Sequence, residues 1–292
     1  MKPAPFEIAR PREIEAAVAL LAEGGDGAKV MAGGQSFGPM LNLRLAQPSL
    51  VVDITGIAAL KSVREEEGAI VYGALVTHAD VEDGRAPDVG AHVLSRVAAG
   101  IAYRAVRNRG TMGGSLAHAD PAADWVNALS ALGADVEIAG PSGRRWLGLG
   151  DFLTGALSTA LGAGEMLVAV RVPKVPASAR FGYAKHCRKV GEFAHATGAL
   201  LVDPQKGTAR ALMGAIDAPP LVIADARELF GGRVDAGFAG RFDATAAAIA
   251  LFDAGVSDPV ERHIHVEVLR RAVRQADGLF SPQSSPSSRS AA

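Results

Sequence analysis

Apolar positions along this chain switch repeatedly between helical and strand spacing as far as about residue 172. Between Pro11 and Ala22, Ile14, Val18 and Leu21 recur on one helical face, with Pro11 near the first turn and Gly24-Gly25 as a stop. That pattern predicts an amphipathic helix feeding a strand. Lys29–Met31 and Leu50–Ile54 have the length of short buried strands. Leu60–Val63 and Ala69–Tyr72, with Glu65-Glu66-Glu67-Gly68 between them, predict a hairpin. Helices are predicted over Val89–Ile101 and Pro121–Leu132, strands over Asp135–Ala139 and Arg144–Leu147 around a Pro141-Ser142-Gly143 turn, and another strand over Glu165–Val172. Tyr103–Ala119 has no clean period and carries several glycine and hydroxyl residues. It predicts an ordered loop, neither helix nor strand, of the kind that binds ligands.

After Pro173 and Pro176 the texture changes. Phe181–Lys185, Ala194–Val202 and Thr208–Ile216 predict an antiparallel meander with turns at Val190-Gly191 and at 203–207. Helical patterns follow, ending with Pro259–Ala276, where Ile264, Val268, Ala272 and Val273 form the apolar stripe. The expected organisation is a first domain over 1–174, in two subdomains of about 1–55 and 56–174, and a second α+β domain over 175–280. The Ser- and Pro-rich stretch 281–292 is too polar to pack and is expected to be disordered. No internal repeat is evident.

Composition narrows the function classes. With 49% hydrophobic residues over 292, the chain can fill a real core. A net charge of -1, from 30 basic and 31 acidic residues, gives no electrostatic footprint for nucleic acid or an anionic membrane. The start leads into no apolar targeting segment and no long apolar run follows, so a cytoplasmic protein without membrane insertion is expected. The one cysteine, Cys187, rules out an internal disulfide, a cysteine-based zinc site and an iron–sulfur cluster, which needs about four cysteine ligands. Any such cluster belongs on another chain. Cys187 itself reads as a buried strand residue.

Other candidates for chemistry are weak. His263 and His265 are two apart on a predicted helix, about 200° around its axis, so one metal ion cannot take both; they read as surface residues. His118, Asp120 and Asp124 have Pro121 among them and no further ligand nearby, and read as a structured loop, not as a metal site. Arg104, Arg107 and Arg109 form a basic cluster that suits either phosphate or an acidic partner, or a solvated face.

The strongest signal is a matched pair of glycine loops. Ala32-Gly33-Gly34-Gln35-Ser36 follows a predicted strand, and Thr111-Met112-Gly113-Gly114-Ser115 lies inside the unpatterned segment. Paired glycines let backbone N–H groups turn toward an anion and let it approach where a Cβ would collide. A Gly-x-Gly-x-x-Gly dinucleotide loop and a P-loop are both missing from the sequence. Two loops with hydroxyl, amide and N–H donors and hardly any fixed cation suit the diphosphate of a long dinucleotide.

These residues resemble the FAD-binding medium subunits of molybdenum hydroxylases, the aerobic carbon monoxide dehydrogenase and xanthine dehydrogenase group. The likeness runs through the first loop with Pro39 to Ala46 and Val52-Asp53-Ile54, the second loop from Val106 to Asp124, and then Tyr183-x-Lys185, Arg188, 191–194, Gly214 and Pro219. Gly38 stands where leucine is usual and Glu192 where aspartate is expected. The resemblance implies an α+β fold: a two-subdomain PCMH-type, vanillyl-alcohol-oxidase-like FAD-binding domain, followed by an antiparallel sheet with helices. It implies FAD held by Ala32, Gly33, Gly34, Gln35 and Ser36 and by Thr111, Met112, Gly113, Gly114 and Ser115, with Asp124 accepting from sugar hydroxyls as a positioning group, not a base. Ile101 and Leu161 would make apolar contacts, and Lys185 and Phe193 would approach the isoalloxazine, Lys185 raising its potential. No residue of this chain is expected to break a substrate bond. The implied role is an oxidoreductase subunit that relays electrons from 2Fe-2S clusters on a small subunit, beside a large molybdopterin subunit, in a dimer of heterotrimers. Two other readings stay open from the residues: a self-sufficient flavin oxidase or reductase, and a nucleotide-binding scaffold without redox activity.

Overall fold

A computed structural model describes residues 2–278; the stretch 281–292, expected to be disordered, lies outside the described residues. The chain begins with β1 (Glu7–Ala9), α1 (Ile14–Gly24), β2 (Ala28–Met31), α2 (Phe37–Asn42) and β3 (Leu50–Asp53). Helix α1 buries Ile14, Ala17, Val18 and Leu21, the spacing of one helical face, and ends where Gly25 takes φ +50. The three strands pair in parallel in the order β1-β3-β2, with Val30 beside Val52. The parallel register carries the ends of β2 and β3 to the same edge, where the first glycine loop leaves Met31.

Next come β4 (Val63–Glu66), β5 (Ala69–Gly73), α3 (His78–Glu82), α4 (Val93–Ala99), α5 (Arg104–Arg107), α6 (Met112–His118) and α7 (Asp124–Leu132). They are followed by β6 (Asp135–Gly140), β7 (Gly143–Gly148), α8 (Leu149–Phe152), β8 (Leu153–Gly155), β9 (Ser158–Thr159) and β10 (Met166–Pro173). An antiparallel five-stranded sheet has the order β4-β5-β10-β6-β7, with the apolar β10 at its centre. The β4–β5 hairpin exists, but its first strand lies further along than expected. Glu65 and Glu66 pair across it, because Gly68 at φ +75 lets the turn tighten. Helices α4, α6 and α7 bury Val93, Leu94, Val97, Met112, Leu116, Trp125 and Leu129 in one core with Ile70, Tyr72 and Val170 of the sheet.

The last part contains β11 (Arg180–His186), β12 (Ala196–Asp203), β13 (Thr208–Gly214), β14 (Leu221–Ile223), α9 (Ala244–Asp253) and α10 (Pro259–Ala276). The first three strands form the expected antiparallel meander, and β14, which was not expected, adds to it beside β13. Helix α10 crosses one face, where glycine is required: a Cβ on Gly182 would run into the Ala272 carbonyl, and one on Gly198 would lie 2.6 Å from the Leu269 Cα. Helix α7 closes the other face; every residue from Trp125 to Leu132 is buried, and Ala199 and Leu212 join the core it shares with the five-stranded sheet.

Three expectations are corrected. Tyr103–Ala119 is not a continuous loop; it holds α5 and α6, because Thr111 caps α6 and Met112 and Leu116 bury its inner face. His265 is not at the surface: it is fully buried on α10, while His263 is exposed. The apolar stripe of α10 is wide enough to include position 265, which sits one turn from Leu269. Cys187 lies just past the end of β11 and is half-buried, so it is not a strand residue. No described helix is long and apolar enough to cross a membrane.

Candidate functional site

The two glycine loops meet. A Cβ on Gly33 would run into the Arg109 carbonyl and come to 3.0 Å from the Gly110 Cα, and one on Gly114 would lie 3.6 Å from the Ala32 Cβ. The Arg109 Nε donates to the Gly33 carbonyl at 3.4 Å. The glycines divide in purpose. Gly33 and Gly113 are glycine because protein occupies the Cβ position, the Arg109 carbonyl in one case and Ala74, at 2.5 Å, in the other. Gly34 has φ +73, the conformation that favours glycine and turns successive amides to one side.

Counting backbone donors separates the loops further. Among the described residues, no acceptor takes the N–H of Gly33, Gly34, Gln35 or Ser36, whereas the Gly34 and Ser36 carbonyls accept from Gly38 and Met40. The Gly33 carbonyl accepts from the Gln35 side chain. The first loop therefore presents a run of unspent N–H donors with the carbonyls of Gly33, Gly34 and Ser36 engaged. In the second loop the amides from Met112 to Ser115 are spent: Met112 donates to Val76, Gly113 to Ala74, Ser115 to the Thr111 carbonyl and Gly114 to the Thr111 hydroxyl oxygen. What this loop offers is the hydroxyl hydrogens of Thr111 and Ser115 and a bare surface at Gly114. Thr111, Met112 and Gly113 are buried, and Gly114 and Ser115 are half-buried. Such a pair, one donor loop braced by a second loop with hydroxyls, fits the diphosphate of FAD.

A buried polar cluster lies at the start of α7. The Lys185 Nζ donates to both Asp124 oxygens, at 3.1 and 2.9 Å, and to the Gly100 carbonyl at 2.8 Å. The Tyr183 hydroxyl donates to Asp124 Oδ1 at 2.9 Å. Burial pushes the Asp124 carboxyl up from its ordinary range against the pull of Lys185 and Tyr183. Burial, with Asp124 beside it, also raises the Tyr183 phenol. Tyr183 and Lys185 alternate on β11, so strand spacing alone puts both on one face, a signal readable from the sequence. Because Asp124 neutralises Lys185, the lysine does not act as a free cation, and its field beyond the pair is smaller than the sequence suggested.

The remaining candidates differ in burial. Ile101 and Leu161 are partly buried against the main core, and Phe193 is 64% exposed. The arginine cluster is not a free basic patch, although Arg104 and Arg109 are exposed as a solvated face would have them. Arg104 pairs with Glu82 and Asp83, Arg107 forms a two-armed pair with Glu82 at 2.7 and 2.8 Å, and Arg109 leans on the first loop. The hydrogen bond from Arg107 is the main cause holding Glu82 below the usual carboxylate range. Nothing in the local sequence announces the Glu82–Arg107 pairing, because the two are 25 residues apart. His78, beside the second loop, accepts from Trp125 Nε1 at 2.8 Å, and burial pushes it down to about 4. Among the described residues no group of three or more His, Cys, Asp or Glu could hold a metal ion.

Comparison with known proteins agrees with this geometry. Residues 4–175 match the family model described as the FAD binding domain in molybdopterin dehydrogenase. The chain is 40% identical over 194 residues to the 6-hydroxypseudooxynicotine dehydrogenase complex subunit alpha of Paenarthrobacter nicotinovorans, an alignment spanning 66% of each protein. It is 33% identical over 282 residues to the carbon monoxide dehydrogenase medium chain of Afipia carboxidovorans, covering 94% of this chain and 98% of that one. A carbon monoxide dehydrogenase structure from Hydrogenophaga pseudoflava superposes with a TM-score of 0.83 at 31% identity, over 96% of this chain and 100% of that chain. Fold, loop geometry and kinship converge: the chain belongs to the family of FAD-binding medium subunits of molybdenum hydroxylases.

Proposed function

We propose that this chain is the electron-transfer subunit of a three-part hydroxylase, passing electrons from 2Fe-2S clusters on a small subunit to a terminal acceptor while a large molybdopterin subunit oxidises the substrate. The observation that carries the reading is the run of unspent N–H groups from Gly33 to Ser36, backed by the second loop. When bound, FAD supplies the junction between one-electron donors and two-electron acceptors. The chain's own residues supply the seat. The amides of residues 33–36 would hold the diphosphate, with Ala32 and Gly114 leaving room beside it and the Ser36, Thr111 and Ser115 hydroxyls donating at its flanks. Met112 and Gly113 would act from behind by fixing α6. Asp124, oriented by Lys185 and Tyr183, would accept from the ligand's hydroxyl or N–H groups at its free lone pairs. Ile101, Leu161 and Phe193 would shield the ring system from water.

The division of labour is supported by the cysteine count, since one cysteine cannot ligate a cluster, and by the relatives, named as a medium chain and as one subunit of a complex. The subunit would work in the cytoplasm within a dimer of heterotrimers. The test is direct. Purified chain titrated with FAD should take up about one per chain, as read by quenching of flavin fluorescence. It should turn over no organic or gaseous substrate alone, and its flavin should be reduced by substrate once the two partner subunits are added. A chain that takes up no FAD, or one that oxidises a substrate unaided, would overturn this reading.

A further inference from the structure

We infer that the Glu82–Arg107 pair is a positioning device for the flavin pocket: it holds the turn Gly100–Ala102 in the conformation that aims Ile101 and keeps the Gly100 carbonyl on Lys185. The inference rests on the FAD reading above and concerns two residues outside the proposed contacts.

The turn joins α4 to α5; on its N–H side Gly100 and Ile101 donate to the Val97 and Ala98 carbonyls, and on its carbonyl side it is held by cations. Its three successive carbonyls each accept from a charged side chain. Gly100 accepts from Lys185 at 2.8 Å, and Ile101 and Ala102 accept from Arg107 Nη1 at 2.9 and 3.2 Å. Each cation is in turn neutralised by a carboxylate, Lys185 by Asp124 and Arg107 by Glu82. Ala102 sits at φ +42, a left-handed conformation disfavoured for any residue with a Cβ, so the turn does not hold this shape by itself. Arg107 has the means to hold it. Its side chain is 12% exposed, its guanidinium makes four hydrogen bonds, and two of them lock it flat against Glu82. The same arginine closes α5, two residues before the Arg109 carbonyl that packs on Gly33. One side chain thus registers the Ile101 turn, the lead into the second loop and α3.

Lysine at 107 keeps the charge but lacks the planar fork that serves a carboxylate and two carbonyls together. Arg107→Lys should weaken FAD binding about tenfold, equivalent to about 1.4 kcal/mol, and flatten the visible circular dichroism of the bound flavin. Glu82→Gln should act in the same direction by roughly threefold, since it removes the charge and one of the two acceptors. The decisive variant is Ala102→Gly, which makes the left-handed conformation accessible without the clamp. Added to Arg107→Lys it should restore about threefold of the lost affinity, while the melting midpoint of the FAD-free chain stays at that of the single variant. Parental FAD affinity in both Arg107→Lys and Glu82→Gln would overturn the inference, as would a loss of affinity that Ala102→Gly leaves untouched. If Arg107→Lys does not fold, Glu82→Gln with and without Ala102→Gly decides by the same criteria. Failure of the parent chain to take up FAD would remove the FAD reading and this inference with it; parental uptake with unchanged variants would remove only the clamp.

Discussion

At the scale of single residues, the glycines of the first loop do two different jobs that look alike in the sequence. Gly33 leaves room for the Arg109 carbonyl, so its role is contact between loops, whereas Gly34 supplies a left-handed backbone that frees the amides after it. Alanine at each position separates the roles. Gly33→Ala must push the loops apart, at the overpacking cost of about 1–3 kcal/mol, and should lose FAD binding and stability together. Gly34→Ala faces only the flexible Met31 Sδ, at 3.0 Å, and a left-handed backbone penalty of about 1–2 kcal/mol. It should therefore keep the loop contact and weaken FAD more gently. Urea midpoints and FAD titrations of the two variants check this; a Gly33→Ala chain as stable as the parent would mean that the loops do not touch.

At the scale of elements, the third sheet meets α7 through apolar packing that includes Ala199 and Leu212 and through the buried Asp124–Lys185 ion pair, and the pair's balance is a testable property. The Asp124 and Lys185 side chains are only 10% and 17% exposed. Removing one partner strands a buried charge, so Lys185→Met should cost about 3–5 kcal/mol, and the double variant with Asp124→Asn should recover most of that. A double-mutant cycle by urea unfolding measures the coupling, and additive effects would show that the two do not interact. The elements themselves were legible where they are long and periodic: α1, α10, β10 and the meander all stand where the apolar spacing puts them. The short helices α2, α3, α5 and α6 were not, because four to seven residues hold no full repeat of an apolar face. Helix α6 is the clearest case. It contains Gly113 and Gly114, which intrinsic preference excludes from helices, and it forms because Thr111 caps it and its amides reach Val76 and Ala74 across the chain. The candidate site was legible as two glycine loops, while Tyr183-x-Lys185 entered only through the resemblance and Tyr183 was not singled out as a site residue. The partners of those residues, Glu82 for Arg107 and Arg109 for Gly33, depend on contacts 25 and 76 residues apart, which no local pattern encodes.

At the scale of the whole molecule, the same layers that bring the loops together bury two histidines, and these set how stability responds to pH. His78 is 6% exposed between the second loop and α7, and His265 is fully buried on α10 with neither ring nitrogen hydrogen-bonded. Burial pushes both down to about 4, with Arg107 adding repulsion at His78. A group whose folded value lies below its unfolded value contributes stability that is full above the unfolded value and is lost as pH falls through the folded one. The window here runs from about 6.5 down to about 4. Each histidine should cost about 2 kcal/mol between pH 7 and pH 5, since each unit is worth about 1.36 kcal/mol. The carboxylates held low by arginine, such as Glu82 and Glu165, lose their contribution only further into acid, as pH falls through their depressed values. His265→Leu should therefore halve the histidine-driven drop in urea midpoint between pH 7 and pH 5 and raise stability at both, because it removes two unsatisfied buried nitrogens. His78→Asn should flatten the pH dependence as well but lower stability at pH 7, because it disturbs the acceptor for Trp125 against which α6 and α7 are set. Parallel pH profiles for the parent and the His265→Leu chain would show that this histidine is reached by water and charges freely in the folded state.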